Sequence, residues 1–315
     1  MNSLREHGRG FLFVVAAASL WGTDALFRYW LAFEMVPSRL VFLEHLVLVV
    51  ITVRYLWTDR AALRRLDAGD WLAAFVIGAG ASALATVLFT RAFTYGDPTT
   101  PLLLQKMQPL IAVLGAWLIL KEKLLPRFGL FLTVAVIGAY LVAFQDPFNV
   151  SVSALVPALL ALGAAALWGL GTVLGRRLAP KLSFQTLTAL RFGIGLPAAA
   201  VIMSLDLGDS PIFDLTGREM AGVVALALVP GLLALLLYYR GLRSTPASAA
   251  TIGELAFPIT ATIIGYVVFN RALAPSQWLG VVLLVGTITT MTWLSRTRDF
   301  SEVGVLAPQP LGSEA

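Results

Sequence analysis

The stretch SLWG at residues 19–22 returns as ALWG at residues 166–169, which lies 147 positions further along the chain. A shift of 149 positions likewise places Pro109 on Pro258. Matching patterns that occur in the same order in both halves indicate an internal repeat, of the kind found in many membrane carriers. The chain is therefore interpreted as two repeats joined end to end.

Each half contains five apolar stretches, and crossing the hydrocarbon core of a bilayer takes about 20 helical residues. The predicted spans cover residues 11–29, 36–53, 71–93, 98–120 and 128–144, then 154–174, 184–205, 220–242, 247–269 and 277–294. Because five is odd, the second repeat enters the membrane from the opposite side. We therefore expect an all-α integral membrane protein with ten transmembrane helices as two inverted five-helix repeats. The first repeat is placed at 10–146, the second at 153–295, and a disordered cytoplasmic tail at 296–315.

The composition independently indicates a membrane protein, because 58% of the residues are hydrophobic, 13% are charged and the mean hydropathy is +0.82. The net charge of +5 does not indicate a nucleic-acid binder, since the basic residues alternate between loops instead of gathering on one surface. The chain has no cysteine, which excludes disulfides and thiolate metal sites. We expect the lipid bilayer as a partner, and no nucleic acid, metal or cofactor.

Basic residues mark one side of the predicted bundle. They precede the first span and follow every even-numbered span, at Arg5, Arg9, Arg60, Arg64, Arg65, Lys121, Lys123, Arg127, Arg176, Arg177, Lys181, Arg240, Arg243, Arg296 and Arg298. The opposite loops carry acidic residues such as Asp146 and Asp206. The positive-inside rule then predicts that both termini are cytoplasmic and that the protein is a multi-pass protein of the cell (inner or plasma) membrane.

Several short motifs resemble one known family. They are AASLWG at residues 17–22 and ALWG at 166–169, PLIA at 109–112 and PIT at 258–260, LKEKL at 120–124, LRF at 190–192 and QWLG at 277–280. In this order, each half is similar to the EamA repeat of the drug/metabolite transporter superfamily. The resemblance implies ten helices in two inverted bundles and the export or exchange of small metabolites. Two positions depart from the pattern: Glu44 stands where Arg is common, and Asn270-Arg271 stands where the first half has Lys121-Glu122.

Ionisable residues inside apolar spans are costly, so they normally face the bundle interior or a water-filled cavity. Of those within the predicted spans, we single out Asp24, Arg28, Glu44, His45, Lys106, Arg191 and Glu254 as candidates. Glu44 and Arg191 are equivalent positions of the two repeats, so a pseudo-two-fold axis brings them to either side of a shared cavity. They are a candidate gate or ligand clamp. The alternative is a permanent Glu44–Arg191 salt bridge that only fixes helix packing.

Spans four and nine are the expected walls of the cavity. Gln105 aligns with Glu254, each four residues before an aligned proline, and proline frees the backbone carbonyl at that position. Gln108 shares a face with Gln105, and Thr251 shares one with Glu254. We expect Glu254 to carry a proton or to contact a substrate amine. Gln108 and Thr251 are alternatively interpreted as hydrogen-bond partners of neighbouring helices.

The remaining candidates have a functional and a structural interpretation. Asp24 and Arg28 lie four apart, which predicts an internal ion pair, while Arg28 alternatively snorkels to the interface. Asp24 and Glu44 are also proton-carrier candidates. Trp21 and Trp168 either pack a planar substrate or belong to the core. His45 either carries protons or makes a satisfied polar contact.

These features together predict a secondary transporter that moves a small metabolite, such as an amino acid, by alternating access. Lys106 or Arg191 would meet a substrate carboxylate. Coupling to protons, export as the direction, and monomer or homodimer as the assembly stay open. Two other classes are weighed: an intramembrane enzyme that uses Glu44 and His45 as acid and base, which lacks a nucleophile or metal set, and a passive pore. The chain has no phosphate-binding loop, so ATP does not drive it directly.

Overall fold

The computed structural model describes residues 2–95, 98–121, 128–144, 146–148, 152–178, 180–206, 211–242 and 256–303. Within these ranges the ordered elements are all helical, and no residue is in a β-strand. This agrees with the all-α fold class that the sequence predicts.

The helices of the first half overlap its five predicted spans. Their bounds are α1 Asn2–Gly22, α2 Asp24–Glu34, α3 Pro37–Thr52, α4 Arg54–Thr58, α5 Arg60–Leu63, α6 Ala68–Phe75, a π-helix Val76–Leu84, α7 Ala85–Phe93, α8 Thr99–Leu104, a 3₁₀ turn Gln105–Met107, α9 Gln108–Leu120 and α10 Phe128–Ala143. The first span is divided at Thr23, whose hydroxyl donates to the carbonyl of Leu20 at 2.7 Å.

The second half follows the same order. Its helices are α11 Val152–Leu178, α12 Phe184–Asp206, α13 Gly217–Leu226, a π-helix Ala227–Leu233, α14 Ala234–Leu242, α15 Ala256–Val267 and α16 Pro275–Val303. Helix α16 continues to Val303, past the start of the predicted tail at 296. Positions 304–315 lie outside the described residues, as do Thr251 and Glu254.

Within the residues that the structure describes, six helical stretches are long and apolar enough to cross a membrane. They are Gly10–Glu34, Ala68–Phe93, Thr100–Ile119, Leu155–Gly175, Phe184–Asp206 and Gly217–Tyr238, and the shorter helix Phe128–Ala143 is also apolar. Large apolar side chains such as Leu72, Phe75 and Val282 are more than half exposed on the outer surface of the bundle. A surface of this kind is expected where the solvent is lipid rather than water. The chain therefore has the fold of a multi-pass membrane protein.

Two spans contain π-helical segments at corresponding places in the two halves. The segment 76–84 interrupts the helix Ala68–Phe93, and 227–233 interrupts Gly217–Leu242. The shift of 149 positions that relates the repeats makes these segments overlap. Inside an α-helix, such segments are rare and often occur at functional sites. The 3₁₀ turn Gln105–Met107 lies where the sequence predicts an interruption of the fourth span.

The first helix of each half packs against the other half. Helix α1 contacts α14 and α15, while α11 contacts the π-helix at 76–84, α7 and α9. The second helices of the two halves, α3 and α12, pack against each other, as do the last helices, α10 and α16. Much of the core therefore lies between the halves, including a cluster that joins Phe89 and Phe93 to Ala164 and Phe257.

Candidate functional site

The two repeated tryptophans make reciprocal contacts across the halves. The ring centroids of Trp21 and Tyr238 are 5.1 Å apart, and those of Trp168 and Phe89 are also 5.1 Å apart. Tyr238 is the repeat equivalent of Phe89, 149 positions later. Each tryptophan on a first helix therefore meets an aromatic residue on the third span of the opposite half.

The glycines that follow these tryptophans lie where the first helix of each half packs against the opposite half. A Cβ atom at Gly22 would lie 2.8 Å from the Cβ of Thr260 and 3.0 Å from the carbonyl oxygen of Phe257. At Gly169 a Cβ would lie 3.1 Å from the carbonyl oxygen of Gln108. Glycine thus lets the first helix of each half approach the fourth span of the other half closely.

The aromatic residues between the halves are here named the aromatic cluster, and they are Trp21, Phe89, Trp168, Tyr238 and Phe257. Two cations border this cluster. The ammonium of Lys106 lies 3.9 Å from the ring centroid of Phe257, and the guanidinium of Arg28 lies 6.0 Å from that of Phe89. Cations attract the negative face of an aromatic ring at such distances. Lys106 belongs to the 3₁₀ turn at 105–107, which therefore positions its side chain toward the second half.

The fourth span carries two further polar candidates. Gln108 donates from its amide to the hydroxyl of Thr172 on α11 at 3.4 Å, and Gln105 is half-buried in the 3₁₀ turn. The bond from Gln108 to a neighbouring helix matches the structural interpretation of this residue. The hydroxyl of Thr172 in turn donates to the carbonyl of Trp168 at 3.0 Å.

A second polar group, the Arg28 cluster of Asp24, Arg28, Glu44 and Thr90, is buried beside the aromatic residues. Arg28 donates to Asp24 through Nε at 2.7 Å and Nη2 at 3.0 Å. It donates to Glu44 through Nη1 at 3.1 Å and Nη2 at 3.3 Å, and to the Thr90 hydroxyl through Nη1 at 2.9 Å. Arg28 and Glu44 are only 4% and 6% exposed. The cluster joins α2, α3 and α7, all of them in the first half.

This geometry corrects two of the sequence-based interpretations. The cation that is hydrogen-bonded to Glu44 is Arg28, so the interpretation of a Glu44–Arg191 salt bridge is wrong. Arg191 donates through Nη2 to the carbonyl of Ala81, inside the first π-helix, at 3.0 Å. Snorkelling of Arg28 is also wrong, because its side chain is buried, whereas the predicted ion pair with Asp24 is confirmed.

His45 is held by polar contacts on both ring nitrogens. Nδ1 lies 2.8 Å from the carbonyl oxygen of Val41, and Nε2 lies 2.9 Å from the hydroxyl of Ser82. The ring also meets Phe192 edge-on. Of its two interpretations, the satisfied polar contact is the one that the structure confirms.

Charged residues join the halves at one end of the bundle, here named the Asp70 end. Asp70 is fully buried, and its carboxylate accepts from Arg177 at 3.0 Å and from Lys181. Asp67 accepts from the same two cations at 3.3 Å. The pKa of Asp67 lies below its ordinary value because its carboxylate accepts the backbone amide of Asp70, and that of Lys181 is raised because its ammonium donates to Asp70.

A second set of polar contacts joins the halves at the opposite end, the Asp206 end. The carboxylate of Asp206 accepts from Arg91 and, at 2.9 Å, from the hydroxyl of Ser38. Arg39 donates to the carbonyls of Ile212 at 3.0 Å and Asp214 at 2.6 Å. Both ends of the bundle therefore hold ionic or polar bridges between the halves.

The structure thus divides the predicted residues into groups. Trp21, Trp168, Lys106 and Gln108 border the interface between the halves, while Asp24 and Glu44 belong to the Arg28 cluster. Sequence reasoning did not find Phe89, Tyr238, Phe257, Thr90, Asp70 and Asp206 as site residues. The signal for two of them was present, since Phe89 and Tyr238 are aromatic at equivalent positions. In the described part of the chain, no group of three or more His, Asp or Glu residues is arranged to hold a metal ion.

The apolar spans and the packing of each first helix against the opposite half define a multi-pass membrane protein. The model of the EamA-like transporter family matches residues 8–144 and 155–293. The chain belongs to this family, with one family repeat in each half. It is a transporter and not an enzyme, so the intramembrane-enzyme hypothesis is set aside.

Two relatives and one solved structure cover nearly the whole chain. The riboflavin transporter ImpX of Fusobacterium nucleatum is 31% identical over 297 residues, which are 92% of this chain and 99% of the relative. The uncharacterized transporter YwfM of Bacillus subtilis is 25% identical over 92% of this chain and 96% of its own length. A crystal structure with 21% sequence identity matches with a TM-score of 0.61, covering 91% of this chain and 98% of that one, which shows the fold alone.

Proposed function

We propose that this protein is a secondary transporter that carries a small planar heteroaromatic molecule by alternating access, and that riboflavin is the first substrate to test. The observation that carries the proposal is the aromatic cluster between the halves, in which Trp21 meets Tyr238 and Trp168 meets Phe89. A site built from both halves changes its accessibility when the halves rearrange.

The proposed architecture has ten spans in two inverted five-helix repeats. The reciprocal packing of α1 and α11 supports it, because each contacts the third and fourth spans of the opposite half. Gly22 and Gly169 also support it, because at each of them the first helix of one half closely approaches the fourth span of the other half. A pseudo-two-fold relation between the halves accounts for these paired contacts.

The ion pairs at the two ends are the proposed gates. The Asp70 end is held by Arg177 and Lys181, and the Asp206 end by Arg91. Opening toward one side requires that the bridges on that side separate while the bridges on the other side persist. The described basic residues Arg60, Arg64, Arg65, Arg177 and Lys181 lie at the Asp70 end. The positive-inside rule assigns such an end to the cytoplasm, and we propose that both termini lie on the same side.

The chemistry of the interface favours a flat, uncharged ring system over an amino acid. Aromatic side chains prefer offset or edge contacts with other rings, and such contacts stabilise a complex by about 0.5–1.5 kcal/mol beyond area burial. Lys106 lies over the ring of Phe257, and Lys106, Gln105 and Gln108 are the donors that we propose for the carbonyl or hydroxyl groups of the substrate. Riboflavin combines a fused ring system with a polyhydroxyl chain, and a relative that is 31% identical is named for it.

Counterflow in proteoliposomes tests the proposal. Vesicles that contain the purified protein are loaded with unlabelled riboflavin, and the uptake of tracer riboflavin from a dilute outside solution is followed. A carrier accumulates the tracer transiently above equilibrium, because the internal substrate drives exchange through the same site. We expect this overshoot in vesicles with the protein and none in protein-free vesicles.

Matched variants and competitors complete the test. Trp168→Leu is expected to weaken counterflow, whereas Trp117→Leu, at a 44% exposed position of α9, is the control and is expected to keep it. Equilibration of the tracer without an overshoot would indicate the passive pore. Counterflow of amino acids with no response to riboflavin would overturn the proposed substrate class. Net flux measured in inside-out and in right-side-out vesicles then tests whether the protein exports its substrate across the plasma membrane. We propose a monomer or a homodimer as the assembly.

A further inference from the structure

We propose that the Arg28 cluster binds one exchangeable proton on its two carboxyl groups and is the site that couples proton movement to transport. The inference rests on the proposed carrier function only for the last step, in which the site changes its access to water.

The hydrogen bonds of the cluster leave Arg28 fully occupied. A guanidinium has five N–H donors. In this structure two go to Asp24, two go to Glu44 and one goes to Thr90. The hydroxyl of Thr90 uses its own hydrogen for the carbonyl of Thr86 at 2.7 Å. Arg28 is therefore committed to the carboxyl groups and has no N–H left for a substrate in this conformation.

The charges of the cluster do not balance. One guanidinium faces two carboxyl groups, so the cluster has an excess negative charge when both are ionised. Arg28 and Glu44 are almost fully buried, and the side chain of Asp24 is 15% exposed. Two carboxylates in one poorly solvated site do not both stay ionised readily, and a proton on either one removes the excess. The proton belongs to the pair rather than to one named oxygen.

Other charged groups near these helices make their contacts elsewhere. Arg91 bonds Asp206, Arg177 bonds Asp67 and Asp70, Arg39 donates to two carbonyls, Arg191 donates to Ala81, Arg218 lies over Trp30, Glu219 bonds Thr216, Arg54 donates to Tyr55, and His45 is held by Val41 and Ser82. Glu34 is exposed at the end of α2, and Tyr29 packs edge-on against Phe269. Lys106 lies over the ring of Phe257. Among the residues that the structure describes, the cation hydrogen-bonded to the two carboxyl groups is Arg28.

The cluster lies where movement of the halves would reach it. Helix α2 packs against α13 of the second half, and Trp30 of α2 meets Gly222 of α13. Separation of these helices lets water reach the carboxyl groups. The O–H bond of the protonated carboxyl then breaks, the proton passes to water, and the carboxylate stays behind. Protonation from the other side reverses the step, and no electron is transferred.

Infrared spectroscopy of the purified full-length protein tests proton binding without any substrate. We expect a C=O stretching band of a protonated carboxyl at neutral pH that shifts in D₂O. Asp24→Asn and Glu44→Gln should each abolish this band, because the remaining carboxylate then pairs with Arg28 as a neutral couple. The exposed Glu34→Gln is the matched control and should keep it. Carbon-13 labelling of aspartate or of glutamate in the unmodified protein assigns the band even where a variant folds poorly.

Two results overturn the proposal: the absence of a protonated band in the unmodified protein, or a band that persists in both variants. Riboflavin transport then tests the coupling. A pH gradient is expected to drive accumulation by the unmodified protein, while Asp24→Asn and Glu44→Gln keep counterflow at equal pH and lose the gradient-driven accumulation. Counterflow without any response to the gradient in the unmodified protein overturns the coupling and leaves the proposed carrier function intact. Absence of counterflow in the unmodified protein counts against the carrier function alone, because the infrared measurement of proton binding does not depend on transport.

Discussion

The ring of Trp21 on the first helix meets the ring of Tyr238 in the second half, with their centroids 5.1 Å apart. Its repeat equivalent, Trp168, makes the same kind of contact with Phe89 at the same distance. The two repeat-equivalent contacts therefore cross the boundary between the halves in opposite directions.

The first prediction concerns ligand affinity at this aromatic interface. Replacing Trp168 by Leu keeps an apolar side chain but removes the flat ring. Since an aromatic contact contributes about 0.5–1.5 kcal/mol, the dissociation constant for riboflavin should rise about 2- to 12-fold. Trp21→Leu should act similarly and Trp117→Leu should not. Quenching of flavin fluorescence on the purified protein measures this, and equal affinities for all of these variants would contradict the site.

The second prediction concerns the close approach of helices at the repeated glycines. Gly22→Ala should lower the free energy of unfolding by about 1–3 kcal/mol, because the added methyl group would meet Thr260 and the backbone of Phe257. Gly169→Ala should lower it less, since its closest contacts are longer. Gly175→Ala is the control on the same helix as Gly169. A Cβ there meets nothing within 4 Å, and alanine favours the helix by up to about 1 kcal/mol.

Thermal unfolding in detergent ranks these glycine variants. The expected order of melting temperature is Gly175→Ala highest, then Gly169→Ala, then Gly22→Ala. A Gly22→Ala protein as stable as the unmodified protein would mean that α1 and α15 pack less closely than the structure indicates.

The third prediction concerns the cation at the centre of the Arg28 cluster. Arg28→Gln leaves two buried carboxyl groups without their cation, and breaking a buried pair in this way typically costs about 3–5 kcal/mol of stability. Combining it with Asp24→Asn and Glu44→Gln should recover much of the loss, because no buried charge is then left. Arg218→Gln, at an exposed position beside Trp30, is the control and should change the melting temperature little. A triple variant no more stable than Arg28→Gln alone would argue against this electrostatic explanation.

The fourth prediction concerns pH and the Asp70 end. The pKa of Asp67 is lowered, so its contribution to stability is present above the ordinary aspartate value and is lost only as the pH falls through the lowered value. The pKa of Lys181 is raised, so its contribution is present below the ordinary lysine value and is lost only as the pH rises above it. Between about pH 5 and pH 9 both groups stay charged.

The stability difference between the unmodified protein and Lys181→Gln should therefore be constant across that pH window and should shrink in high salt, because these residues are partly exposed. Melting temperatures across pH and salt concentration measure it. A difference that changes steeply near neutral pH would require another titrating partner.

Much of the helical layout follows from the sequence, because apolar length and the recurrence of Trp-Gly are local signals. The Asp24–Arg28 pair follows as well, since residues four apart share a helix face. The partner of Glu44 does not follow. Equivalence in the repeat favoured Arg191, but the crossing of α2 and α3 in three dimensions brings Arg28 to Glu44 instead.

The π-helices are a second feature with little local signal. Pro230 lies inside the segment 227–233, yet the equivalent segment 76–84 contains no proline. The segment 76–84 packs against α12 and α11, and a single sequence does not reveal these contacts. Phe89 and Tyr238 were missed for a related reason, because an aromatic residue in an apolar span resembles ordinary core until its partner across the halves is known.

The most direct test of alternating access is the response of both ends of the bundle to riboflavin. The chain has no cysteine, so spin labels can be placed on introduced pairs without removing native thiols. Thr58→Cys with Pro180→Cys reports on the Asp70 end, and Glu34→Cys with Phe213→Cys reports on the Asp206 end, all at exposed positions. Pulsed electron spin resonance with bound riboflavin should show one distance distribution lengthening while the other shortens. Riboflavin that binds but leaves both distributions unchanged, or shifts both in the same direction, would contradict the account.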